Sequence, residues 1–210
     1  MNILGLNAYH GDTSAALLVD GRLACAMEEE RFTRLKHQAG FPSLAVRHSL
    51  DFAGLAGTDL DHIAISRDPS AHLHRKLMFA LSQGPSLSTI RDRMWNVSRL
   101  RDVKTTVAEA IELDESAVRA QVHRVEHHRA HLASAFFASP FDEAAVVSID
   151  GFGDFSSVMW GVGRANRIDV RGNVAFPHSL GLFYTAFTPT PNIGAPRLVR
   201  VGLKWDGKLR

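Results

Sequence analysis

The chain has 210 residues, with 24 Lys and Arg against 22 Asp and Glu and 45% hydrophobic residues, a composition typical of a globular protein with a hydrophobic core. Its net charge of +2 is too small to indicate nucleic-acid binding, and it has no apolar stretch long enough to span a membrane. The single cysteine, Cys25, excludes an internal disulfide framework and suits a reducing compartment. Since the first residues lack the basic start of a signal peptide, we predict a cytoplasmic protein without membrane or nucleic-acid partners.

Three apolar segments near the N-terminus predict an antiparallel β-meander. They cover residues 2–8, 14–19 and 22–27, and Asp20-Gly21 between the last two is typical of a hairpin turn. A helix from Pro42-Ser43 to Gly54 and a strand over 61–66 follow, so the predicted order is βββαβ.

Residues 67–104 differ from their surroundings because they carry eight Lys and Arg against three Asp. Gly84-Pro85-Ser86 divides this segment into two predicted helical pieces. We interpret it as a solvated basic insertion, with a basic lid facing substrate or a partner as the alternative.

The remaining elements alternate between strand and helix patterns. The predicted strands cover 122–125, 144–149, 156–162 and 168–170, and the predicted helices cover 127–139 and 178–187. Residues 189–210 show no helical pattern and are predicted to be irregular.

His127 and His131 form the sharpest chemical motif. Side chains four residues apart lie on one face of a helix, so both imidazoles could bind one ion, and imidazole suits iron, zinc, nickel or copper. Because His128 lies beside them, the segment is too polar for a simple core face. The alternative is a set of partly exposed histidines at the start of a helix.

Asp150 ends the apolar run of residues 144–149, where an unpaired carboxylate would be costly to bury and a metal ion is a natural partner. Gly151 and Gly153 would let backbone amides approach an anion closely. A structural turn is the alternative.

In the N-terminal loop, Asp12, Ser14 and the preceding His10 could likewise surround a phosphate, or the loop is a polar turn without a ligand.

Three blocks of the sequence resemble, in order, the N-terminal half of the O-carbamoyltransferases, the antibiotic-tailoring and nodulation-factor-type enzymes. The blocks are ILGLNAYHGDTSAALLVDGRLACAMEEERFTRLKH, VEHHRAHLASAFFASPFDEAAVVSIDGFGD and FPHSLGLFYTAFT. The resemblance covers residues 2–188. It implies an α/β fold of the actin, sugar-kinase and heat-shock-ATPase (ribonuclease-H-like) type, with a mixed sheet flanked by helices.

The resemblance also implies a reaction. In the family, a carbamoyl group passes from carbamoyl phosphate, through an ATP-derived carbamoyl-adenylate, to the hydroxyl of a small-molecule acceptor. A YrdC-like domain forms the adenylate, and the domain similar to threonylcarbamoyl-transfer proteins performs the transfer.

The resemblance implies roles for particular residues. His127, His131 and Asp150 match the family's metal ligands, with iron favoured and manganese, zinc or magnesium also possible. His10 matches the histidine beside the reacting group and is the predicted proton acceptor. The other predicted site residues are Asp12, Ser14, Gly151 and Gly153, which we assign to the binding of nucleotide phosphate.

The chain departs from the family pattern after residue 188. Family members continue with a GDE…KVMGLA-type segment and are longer, so we expect a truncated domain: residues 1–188 form the carbamoyltransferase N-terminal domain and 189–210 a non-family tail. A fourth acidic metal ligand and the YrdC-like domain would then be missing, and the chain alone would be inactive. A non-catalytic nucleotide- or phosphate-binding module and a vestigial fragment of the same fold are the alternatives.

Overall fold

The computed structural model describes residues 1–9, 11–83 and 103–187. The chain divides into two compact units, which we describe separately. Unit 1 comprises Met1–Arg67 and Phe79–Val125, and unit 2 comprises Asp68–Met78 and the chain from Glu126 onward.

The described part of unit 1 contains a five-stranded mixed sheet in the order β3-β2-β1-β4-β5. Strand β1 pairs antiparallel with β2 and parallel with β4, and β4 pairs parallel with β5. The strands are β1 (Asn2–Asn7), β2 (Ser14–Val19), β3 (Arg22–Glu28), β4 (His62–Ile65) and β5 (Gln121–Arg124). The predicted N-terminal meander is therefore confirmed.

Alternation along the strands directs one face of this sheet into a hydrophobic core. Leu4, Leu17, Ile63 and Ile65 are fully buried, while the residues between them are only partly covered. The Asp20-Gly21 turn has positive φ at both central residues, 49° and 77°. Two-residue hairpin turns whose backbone matches the twist of the strands require these angles.

Two helices contribute side chains to the hydrophobic core of unit 1. Among the described residues up to 110, the helices are α1 (Glu30–Thr33), α2 (Ser43–Ala53), α3 (Leu73–Gln83) and α4 (Val103–Ala110). Val46 and Leu50 of α2 and Val103 and Val107 of α4 belong to the core, and α2 ends at Gly54 in the left-handed conformation (φ 66°). Short 3₁₀ turns lie at Gly57–Asp59 and Glu115–Ala117, and the division between units runs through α3.

The N-terminus of α2 is bound by a carboxylate distant in sequence. Glu29 is 4% exposed, and its two oxygens accept the backbone N–H groups of Leu44 (3.1 Å) and Ala45 (2.8 Å). These amides belong to the first helical turn, which has no partners within the helix. The negative charge also interacts favourably with the helix dipole.

The described part of unit 2 contains an antiparallel sheet in the order β6-β7-β8. Its elements are α5 (His127–Phe136), β6 (Glu143–Gly153), β7 (Ser156–Arg164), β8 (Arg167–Ala175) and α6 (Leu180–Phe187). Leu132 and Phe136 of α5 pack with Val146 and Met159 of the sheet in a second core. A Cβ at Gly163 would lie 2.5 Å from the Phe136 ring, so only glycine permits this close packing.

The predicted fold class, a mixed sheet flanked by helices with the order βββαβ, is confirmed. Two details differ from expectation. Strand β6 extends past Asp150 to Gly153, with an irregular register after Ile149, and the short helix α1 lies between the predicted third strand and the predicted helix that begins at Pro42-Ser43. Residues 84–102 of the predicted basic insertion and the tail 189–210 lie outside the described residues. The predicted boundary between a domain over 1–188 and a tail over 189–210 therefore stays a prediction. Among the described residues, no helix has the length and apolar character needed to cross a membrane.

Removing the Glu29 carboxylate tests its role in holding α2. We expect Glu29→Ala to lower the free energy of unfolding by about 1–3 kcal/mol, because the buried N–H of Ala45 and the partly buried N–H of Leu44 lose their acceptor. Glu29→Gln keeps one acceptor oxygen and should lose less. Urea denaturation of both variants, with the exposed Glu109→Ala as control, measures this; an equal effect of Glu29→Ala and Glu109→Ala would contradict the role.

Candidate functional site

Three side chains of unit 2 bring their polar atoms together. Nε2 of His127 lies 3.0 Å from Oδ2 of Asp150 and 2.9 Å from Nε2 of His131, and the His131 nitrogen lies 3.7 Å from the same carboxylate oxygen. Their side chains are 14%, 24% and 21% exposed, respectively, so the cluster is partly buried but reachable from solvent. The predicted metal ligands are therefore adjacent in the structure.

Local structure explains this convergence. His127 and His131 are one turn apart on α5, so both imidazoles project from the same face of the helix. Asp150 lies where the pairing of β6 with β7 becomes irregular, between Ile149 and Gly153. This irregularity is typical of strands that redirect a side chain at a functional site.

The electrostatics of Asp150 favour its charged form. Burial raises the pKa of the carboxyl, but the hydrogen bond from His127, the nearby His131 imidazole and the hydrogen bond from the Gly151 N–H outweigh burial and hold the pKa well below its usual range. The carboxylate is therefore negative at neutral pH. A negative oxygen beside two imidazole nitrogens is a suitable ligand set for a divalent transition metal.

The spacing of the three atoms fits one ion. At metal–ligand distances of about 2.1 Å, two ligands lie about 3.0 Å apart at a right angle and about 3.4 Å apart at a tetrahedral angle. The observed separations of 2.9, 3.0 and 3.7 Å lie close to these values. Within the described residues, His127, His131 and Asp150 are also the group with the composition and spacing of a metal site.

His128 has a different role from its neighbours. Its side chain is fully buried, Nε2 donates to the backbone oxygen of Ser156 (2.9 Å), and Nδ1 accepts from the Ser148 hydroxyl (2.8 Å). A carbonyl can only accept, so Nε2 carries the proton and the ring is the neutral Nε2–H tautomer. Burial, followed by the neighbouring His127, lowers the pKa of His128 to about 4. His128 therefore anchors α5 to β6 and β7.

The start of α6 lies against the backbone of Asp150 and Gly151. The Ser179 hydroxyl is within hydrogen-bond distance of the carbonyl oxygens of Asp150 (3.1 Å) and Gly151 (2.6 Å), and it accepts the N–H of Leu182 (3.1 Å). A Cβ at Gly181 would lie 2.5 Å from backbone atoms of Asp150 and Gly151. The contact requires glycine at 181, and it fixes the position of the strand end that carries Asp150.

The glycines assigned to phosphate binding lie beside the metal-ligand cluster. The Gly151 N–H donates to Oδ1 of Asp150 (2.6 Å), and the α-carbon of Gly153 packs against the His127 ring. Their assignment to nucleotide phosphate stays a prediction.

The N-terminal loop belongs to unit 1. Asp12 has a positive φ of 62°, its carboxylate pairs with Nδ1 of His37 (2.9 Å), and its backbone oxygen accepts from the Asn7 side chain (2.9 Å). Ser14 is the first residue of β2. His10 lies outside the described residues, so its predicted catalytic role and the phosphate roles of Asp12 and Ser14 stay predictions.

Sequence reasoning missed the residues that support the cluster. Ser179 and Gly181 lie in a block quoted only for its resemblance, and His128 was interpreted only as a polar neighbour. Ser148 and Ser156 lie among apolar residues of predicted strands. Because a buried hydroxyl needs a hydrogen-bond partner, these serines could have indicated a buried polar side chain such as His128.

The fold and the cluster together define an α/β protein with a candidate divalent-metal centre. The family model described as "Carbamoyltransferase N-terminus" matches residues 2–195. The chain belongs to this family. The resemblance inferred from the sequence is confirmed.

The chain is also similar to individual proteins. The chain is 39% identical over 193 residues to the uncharacterized protein sll1178 of Synechocystis sp., covering 89% of this chain and 31% of the relative. It is 31% identical over 181 residues to nodulation protein NolNO of Sinorhizobium fredii, covering 85% of this chain and 25% of that protein. The chain thus spans less than a third of the length of these relatives. Among solved structures, YeaZ from Pseudomonas aeruginosa matches 84% of this chain and 68% of its own, at 20% identity and a TM-score of 0.44.

The buried neutral His128 predicts a pH dependence of stability. The unfolded imidazole binds a proton near pH 6.5, whereas the pKa in the folded chain is lowered to about 4. The unfolded state therefore binds more protons between these values, and the free energy of unfolding should fall as the pH drops from about 6.5 to about 4. Urea denaturation at pH 7 and pH 5 measures this fall.

His128→Asn removes the titrating group while keeping polar atoms near Ser148. The variant should be less stable at pH 7 and should show a smaller fall in stability between pH 7 and pH 5. An unchanged fall would show that other groups cause the pH dependence.

Proposed function

We propose that this chain is the transfer part of a carbamoyltransferase, which passes a carbamoyl group from carbamoyl phosphate, through carbamoyl-adenylate, to the hydroxyl of a small-molecule acceptor. The convergence of His127, His131 and Asp150 in a chain of this family is the observation that carries the proposal. A divalent metal, with iron(II) favoured and manganese, zinc or magnesium as alternatives, would be held by these three residues.

The bound metal would supply Lewis acidity to the carbamoyl carbonyl. In the transfer step, the acceptor oxygen forms a bond to the carbamoyl carbon, and the bond between that carbon and the oxygen of the AMP phosphate breaks. The proton of the acceptor hydroxyl passes to a base, for which His10 is the proposed residue. The adenylate-forming step belongs, in this proposal, to a YrdC-like domain.

Partners and location follow from the same proposal. The acceptor is a small molecule, and ATP and carbamoyl phosphate are the co-substrates. The near-neutral charge and the single cysteine support a cytoplasmic protein that binds neither nucleic acid nor membrane.

Metal binding should stabilise the chain. At a metal concentration 100 times Kd, we expect a gain of about 2.7 kcal/mol and a rise in Tm of about 5–10 °C for iron(II), manganese or zinc. His127→Ala and Asp150→Asn should abolish this rise, because each removes one of three ligands.

His48→Ala is the matched control, since His48 is a histidine of α2 in unit 1. Differential scanning calorimetry under nitrogen measures all four proteins. A rise in Tm that persists in both ligand variants, or that His48→Ala also abolishes, would contradict the assigned metal site.

A non-hydrolysable analogue of carbamoyl-adenylate and AMP test the substrate class, because the proposed transfer step uses the adenylate and releases AMP. We expect isothermal titration calorimetry to detect binding of at least one of them to the metal-loaded chain, and Asp150→Asn to weaken that binding at least about 10-fold. With ATP and carbamoyl phosphate together, the chain alone should release no AMP. Absence of binding for both probes to the metal-loaded chain would contradict the proposed substrates.

A further inference from the structure

The carboxylate of Asp154 holds the first residue of the metal-binding helix. Its Oδ2 accepts the backbone N–H of His127 (2.9 Å) and the backbone N–H of Asp68 (2.8 Å). The first amides of a helix lack partners within the helix, and an acidic group there also interacts favourably with the helix dipole. The carboxylate of Glu126, directly before the helix, is instead paired with His72 (3.1 Å) and Arg129 (3.4 Å).

Gly153 fixes the imidazole of the same residue from another side. A Cβ built on Gly153 would lie 2.1 Å from Cδ2, 2.3 Å from Cγ and 2.7 Å from Cβ of His127. Real atoms do not approach this closely, so any side chain at 153 would displace the His127 ring. Glycine at this position therefore serves the placement of a ligand ring.

The turn from Asp150 to Asp154 thus contacts His127 at three points. Asp150 binds the Nε2 end of the ring, Gly153 lies against its face, and Asp154 binds its backbone nitrogen. The segment that supplies the carboxylate ligand consequently also sets the position of an imidazole ligand. Metal sites need such support, because ligands must be held within about 0.5 Å of the productive geometry.

We propose that Gly153 and Asp154 are positioning residues that fix the His127 imidazole against the Asp150 carboxylate. The inference rests on the proposed metal site, and it gives this glycine-containing turn a function in ligand placement besides the predicted binding of phosphate. Neither residue is a proposed metal ligand: Gly153 acts through the ring of His127, and Asp154 acts through the backbone of His127.

Substitutions at 154 separate the hydrogen bonds from the charge. Asp154→Ala removes the acceptor, while Asp154→Asn keeps a carbonyl oxygen that can accept two N–H groups. Titration of the whole chain with cobalt(II), followed by visible absorbance, should give an affinity about 10–100-fold weaker for Asp154→Ala and within about 3-fold of wild type for Asp154→Asn. Gly153→Ala should weaken cobalt binding as Asp154→Ala does and should alter the cobalt spectrum.

A core variant distinguishes positioning from a general loss of stability. Val146→Ala lies in the core of unit 2 and should lower Tm while leaving cobalt affinity within about 3-fold of wild type, because it removes methyl groups away from the ligands. A loss of affinity in Val146→Ala equal to that in Asp154→Ala would overturn the positioning role, as would wild-type affinity in both Asp154→Ala and Gly153→Ala.

A second measurement on the metal-free chain keeps this inference separate from the proposed function. The Asp150 carboxylate can only accept, so Nε2 of His127 carries a proton in the wild-type contact, and ¹⁵N NMR of the imidazole reports it. Wild type and Asp154→Asn should show this protonated Nε2, and Asp154→Ala and Gly153→Ala a mixture of tautomers. If wild type binds no cobalt, the proposed metal site fails; if the spectra of all four proteins are also the same, the positioning role fails as well.

Discussion

The contact between the Asp150 carboxylate and the imidazoles of His127 and His131 is the interaction that forms the candidate site of this protein. A carboxylate that is three-quarters buried loses much of its hydration, and this loss would favour the neutral acid. The two imidazoles and the Gly151 N–H reverse that preference and keep the group charged. The same three atoms have the spacing of ligands around one divalent ion, so the arrangement that stabilises the charge also forms the candidate site.

Unit 2 holds these groups in place from several directions. The buried His128 ties helix α5 to strands β6 and β7 through Ser148 and the Ser156 carbonyl. The start of α6 packs on the backbone at Asp150 with no room for a side chain at Gly181. Each of these supports is a close contact in space, made by a small or polar residue beside the three-residue cluster.

Much of the fold could be predicted from the sequence, because it follows from period-two alternation and strong turn signals. The Asp20-Gly21 hairpin and the stop of α2 at Gly54 are local features that a single chain segment determines. The pair His127 and His131 could also be predicted, since helical spacing alone brings the two rings together. Their contact with Asp150 requires that the helix carrying the histidines packs beside the strand carrying Asp150. The family resemblance provided that expectation.

The supporting residues could not be predicted, because their partners are distant in sequence. Asp154 binds an amide 27 positions earlier, and Gly153 is required by the ring of a residue on another element. From the sequence, the glycines of this turn are predicted to let backbone amides bind an anion. The neighbouring sequence does not distinguish this function from close packing of a glycine against a ring. The N-terminal loop, with His10 outside the described residues, is where the sequence still provides the main argument for a catalytic base.

Anomalous X-ray diffraction from crystals of the manganese- or zinc-loaded chain tests whether the cluster binds a metal ion. We expect one strong peak within about 2.0–2.2 Å of Nε2 of His127, Nε2 of His131 and an oxygen of Asp150. A peak at another histidine pair, such as His62 and His123 on neighbouring strands of unit 1, with none at the cluster, would contradict this expectation.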